Sequence, residues 1–118
     1  MTTEPVNASQ RGDEPETVRV IADPGICGFT CSIRAWKEGP QVKFDIQSEC
    51  EQIKNLAIRL GTVEIEDLFT PFTKSPFFLS AEKSKCHLAC PIPSSLVKTA
   101  EVVLGLALPK EVAIRFLT

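Results

Sequence analysis

The sequence has no long run of apolar residues and no extended cluster of lysine or arginine. The first absence excludes a bilayer-spanning helix, which needs about 20 consecutive apolar residues. The second, with a formal net charge of −2, leaves no electrostatic footprint for nucleic acid or an anionic membrane surface. Neither partner is expected. The opening residues Met1-Thr2-Thr3-Glu4-Pro5 lack the basic start and apolar run of a secretory signal, so a soluble, cytoplasmic protein is expected, as monomer or homodimer and with room for an unidentified protein partner. There is no glycine-rich phosphate loop, and Glu49, Glu51, Glu64, Glu66 and Asp67 read as capping or solvent-facing carboxylates rather than a catalytic pair. Histidine occurs once, at His87. A Cys–His nucleophile would also need an orienting group and an oxyanion site, and neither can be identified. Catalysis is not expected.

What remains is enough for one compact domain. A chain of 118 residues that is 43% hydrophobic and 24% charged can bury a core without covalent staples. Residues 1–16 are expected to form a disordered tail, since they lack anchoring apolar side chains, and residues 17–118 a single domain. Residues 17–22 read as a strand closed by the Asp23-Pro24-Gly25 turn, and 29–36 as a second strand with Phe29, Cys31, Ile33 and Ala35 on one face. After a Gly39-Pro40 hairpin turn, Val42, Phe44 and Ile46 alternate with Lys43, Asp45 and Gln47, as in a strand covered on one face. A helix follows over 49–60, with Ser48 and Glu51 as a capping box, Ile53, Leu56, Ala57 and Leu60 at helical spacing, and Gly61 as its stop. Residues 64–69 suggest a short turn, 70–80 an irregular segment held by phenylalanines, and 93–106 a second helix ended by Pro109. Val112, Ile114 and Phe116 predict a last strand. The expected class is α+β: an antiparallel meander of three or four strands with two helices packed on one face.

Five cysteines make an odd number, which argues against a disulfide framework in a reducing compartment and leaves metal or redox chemistry as alternatives to simple burial. Cys27 lies between Gly25 and Gly28, Cys50 at a helix start, and Cys90 before Pro91 and another helix. Helix starts favour the thiolate, the form that binds metal. Cys27 and Cys31 on a continuous strand would stand about 13 Å apart, too far to share an ion with bonds near 2.3 Å. A loop at the glycines makes Cys27 the ligand candidate and leaves Cys31 for the core. Cys86 and Cys90 can meet if their segment coils.

Ile26-Cys27-Gly28, a hairpin, Cys50 opening a helix, the Ile65-Glu66-Asp67-Leu68 turn and a third cysteine opening a second helix resemble the U-type iron–sulfur cluster assembly scaffolds, over residues 26–106. The Ala89-Cys90-Pro91 corner is also similar to the cysteine-containing domain at the end of some ribonucleotide reductases. The resemblance implies a cluster or zinc ion held by Cys27, Cys50 and either Cys90 or Cys86, with His87 as a substitute imidazole outside the family's pattern. It also implies departures. Phe29 stands where the scaffolds carry aspartate, Glu49 where they carry glycine, and Lys85 and Ala89 where histidine would precede the third cysteine. The expected function is a non-catalytic metal-binding domain; a cofactor-free interaction module with structural cysteines, or a dithiol redox protein using Cys86 and Cys90, is the alternative.

Overall fold

The structure, a computed structural model, describes residues 16–118; the expected tail thus falls almost wholly outside the described residues. Three strands, β1 (Thr17–Ala22), β2 (Cys31–Glu38) and β3 (Gln41–Ser48), form an antiparallel meander in the order β1-β2-β3. Three helices follow: α1 (Glu51–Leu60), α2 (Pro76–Lys83) and α3 (Ile92–Val103). The fold is α+β, with α1 against β3, α3 against β1 and β2, and α2 between the other helices.

The period of two along each strand explains the layering. Val18, Val20 and Ala22 pair with Ala35, Ile33 and Cys31, and Ile33 and Ala35 pair in turn with Ile46 and Phe44, so one face of the sheet is apolar from edge to edge. The helices supply Ile53, Leu56, Leu60, Phe77, Leu96 and Ala100 to the same core. Phe77 meets Phe44 edge to face with ring centroids 6.4 Å apart, a favoured aromatic geometry. On the opposite face Arg34 forks onto Asp45 at 2.6 Å, and that pairing together with Gln47 holds the Asp45 carboxyl below its ordinary range.

Several elements depart from the expectations above. Phe29 is not part of β2: Gly28 takes a left-handed backbone (φ 78°) and its carbonyl accepts from Thr30, which keeps residues 28–30 in the loop and Phe29 half exposed. The Ser48–Glu51 capping box does not form, because Cys50 is the N-cap and the Ser48 hydroxyl accepts from the Cys50 amide instead. A reciprocal box closes a 3-10 turn at Ile65–Leu68, where the Glu64 amide donates to Asp67 at 2.8 Å. Part of the segment expected to be irregular is α2. Ser75 caps it, accepting from the Phe77 and Phe78 amides, and Pro76 occupies its first turn. Helix α3 ends at Gly105 (φ 75°), well before Pro109. Finally, the strand expected at 112–117 does not form: residues 107–118 take no regular structure and lie exposed, since among the described residues no neighbouring strand meets their backbone.

Candidate thiol pocket

Three chain reversals fall at one end of the sheet. The register that sets Ala22 opposite Cys31 and Cys31 opposite Ser48 brings the loop between β1 and β2 beside the junction of β3 with α1. Helices α2 and α3, packed on that layer, bring their connection to the same place. The result is a pocket of about 180 Å³ lined by Cys27, Cys50, Cys86, Cys90 and His87 together with Pro24, Phe29, Gln52, Ile53, Lys85 and Ile92. All five sequence candidates therefore share one cavity wall.

Each thiol arrives by a different local device. Cys27 rides a loop in which the Gly25 amide donates to Asp23 at 3.0 Å and the Gly28 amide to the Gly25 carbonyl at 3.0 Å, with Gly25 at φ 94°; its side chain is exposed. Cys50, half-buried, donates its thiol to Gln52 Oε1 at 3.2 Å. Cys86 follows a left-handed residue, Lys85 (φ 62°). There the Cys86 amide donates to the Ala81 carbonyl and the Lys85 amide to that of Glu82, both at 3.0 Å, the paired bonds of a Schellman turn. That turn folds Cys86 back on the core. Cys90 is placed by a further turn, its amide donating to the His87 carbonyl at 3.1 Å.

Cys31 is set apart. It is 0% exposed on the inner face of β2 and does not line the pocket. Burial, with smaller contributions from Cys90 and Cys50, pushes its thiol up to about 11.

Cys90 does not follow the expectation that helix starts release their protons. Cys90 receives a hydrogen bond from the Ile92 amide, which favours thiolate, yet burial outweighs it and nearby Cys50 and Cys27 add to the upward shift. Cys86 is likewise raised, by burial first and then by Cys90 and Cys50. Desolvation disfavours the charged form, and each thiolate disfavours the next. The influence of Cys90 and Cys50 on Cys86, and of Cys50 and Cys27 on Cys90, is an electrostatic sign of their proximity.

No carboxylate lines the pocket, and Lys85 is the one lysine or arginine in its wall. Among the described residues, no three His, Cys, Asp or Glu side chains stand close enough together to hold an ion as placed. Gln52 is the participant that sequence reasoning missed. Its side chain accepts from Cys50 and its carbonyl lies 4.0 Å from Cys86 Sγ; its place one turn into α1, two residues past a cysteine, was the available signal.

A family model described as a family of unknown function (DUF6951) matches residues 18–116, and the chain belongs to that family. No curated protein and no solved structure matches the chain. Among the described residues, no helix is long and apolar enough to cross a membrane.

Proposed function

We propose that this domain holds a soft metal, as zinc or an iron–sulfur cluster, on thiolates of Cys27, Cys50, Cys86 and Cys90. One observation carries the reading: four cysteines from three separate connections, with the chain's lone histidine, line a single small pocket. A wall that offers four thiols and an imidazole but no carboxylate suits zinc or iron–sulfur chemistry and disfavours magnesium or calcium. The raised Cys86 and Cys90 thiols fit as well, since a bound cation would offset first the burial and then the neighbouring thiols that disfavour their charged form. Cys27 on its glycine-flanked loop supplies the adjustable ligand, and loading replaces the Cys50–Gln52 hydrogen bond with a metal bond.

The role is non-catalytic. The scaffold resemblance supports a cluster, but Phe29, where those scaffolds carry aspartate, puts an apolar ring in the pocket wall, which favours a resident group over one handed on. Elemental analysis and visible absorption of anaerobically purified full chain test the proposal. Stoichiometric zinc or a brown chromophore is expected in wild type, with strong loss in Cys50→Ser and retention in Cys31→Ala. Metal-free wild type whose unfolding is unchanged by chelator would overturn it.

A further inference from the structure

The chain carries a strand without a sheet and a sheet edge without a strand. Past Leu106 no residue makes a hydrogen bond or a sheet bridge among the described residues. Yet residues 111–117, Glu-Val-Ala-Ile-Arg-Phe-Leu, follow Pro109 with the alternation of a strand covered on one face. Val112, Ile114 and Phe116 are 65%, 84% and 88% exposed, and Leu106, Leu108 and Leu117 are exposed beside them. The segment is part of the family's own unit, which the match carries to residue 116.

The two sheet edges differ. The outer edge of β3 is partly occupied, because Val42 and Val63 exchange amide bonds at 2.7 and 3.2 Å. The outer edge of β1 over residues 18–22 has no strand beside it among the described residues. On β1, Val20 and Ala22 face the core while Ile21 is exposed. An unpaired edge of this kind is a template for strand addition.

We infer that a second copy of this chain is the occupant: the 111–117 segment of each copy adds to the β1 edge of the other, giving a two-fold homodimer with four-stranded sheets. Donor and acceptor lie on one chain and are not joined within it, so reciprocal exchange satisfies both at once. Val112, Ile114 and Phe116 continue the covered face begun by Val18, Val20 and Ala22, and Glu111, Ala113, Arg115 and Leu117 fall on the solvent face. Burying a large aliphatic or aromatic side chain removes on the order of 100 Å² from water. Val112, Ile114 and Phe116 of each copy, doubled by symmetry, remove about 600 Å² from the two arms, and the β1 edges they cover lose a matching area, which brings the interface past the roughly 1,000 Å² that a specific association needs.

Sedimentation velocity on the full chain over a wide concentration range, joined to hydrogen–deuterium exchange, tests this. The dimer mass is expected, with the amides of 111–117 and of β1 protected together. Ile114→Pro, in a segment that makes no hydrogen bond among the described residues, should give a folded monomer with unchanged helical circular dichroism in which the amides of 111–117 and the outward-facing amides of β1 exchange freely. Treatment with chelator should leave the dimer intact. A monomer at every concentration, a dimer that survives Ile114→Pro, arm protection that persists on dilution to monomer, or a dimer lost with chelator would each overturn the inference.

Discussion

Helices α2 and α3 end in the same hydrogen-bonded turn, but the left-handed residue is Lys85 in one and Gly105 in the other. In both, the second residue past the cap donates back five positions: Cys86 to Ala81, and Leu106 to Glu101. Glycine adopts this backbone without a Cβ clash, whereas another residue costs about 1–2 kcal/mol. The strained copy is the one that delivers Cys86 to the thiol pocket, and the relaxed copy releases the chain into the exposed arm. Retained strain tends to mark positions where placement matters more than stability, and here it coincides with a proposed ligand.

The largest way to break this contrast is to remove the anchor of α2. Phe77 is fully buried against Phe44, and Phe77→Ala should cost about 3–5 kcal/mol in urea unfolding. Amide exchange should show the Lys85 turn loosening well before the Gly105 turn; equal loosening of both would mean that the turns do not report their own helices. A sharper comparison exchanges the residues. Lys85→Gly should stabilise the metal-free protein by about 1 kcal/mol, and Gly105→Ala should destabilise it by about 1–2 kcal/mol. Opposite signs in thermal melts are the expected result, and a neutral Lys85→Gly would remove strain from the account.

The third effect vanishes at neutral pH. The folded Cys31 thiol is raised to about 11 from an ordinary value of 9.0, and Cys86 and Cys90 shift in the same direction. Above pH 9 the unfolded chain loses these protons while the folded chain keeps them, so stability is fully present below pH 9 and falls as pH rises toward 11. Metal-free Cys31→Ala should show a shallower alkaline loss than wild type, measured by denaturant midpoints against pH.

Where signal and structure were local, the sequence could be read directly. The β2–β3 hairpin follows from strict alternation around Gly39-Pro40, and α1 from its apolar spacing and Gly61. The gathering of Cys27, Cys50, Cys86 and Cys90 was legible as well, because each stands at a chain reversal. Helix α2 was hidden since Ser75-Pro76 reads equally as a loop or as a cap with proline in the first turn, and its short length leaves little periodicity to decide. The tail misled for the opposite reason. Its alternation is genuine, but a strand exists only beside another strand, and none of the described residues pairs with it. The shift of the Cys90 thiol was not readable either, since it depends on burial by residues distant in sequence.

The isolation of Cys31 beneath the pocket has a practical consequence. A maleimide reagent added to the native domain should modify the outer sulfhydryls first and reach the fifth only when the sheet separates from its helices. That lagging label would act as an internal clock for opening, read from a native residue without any engineered cysteine.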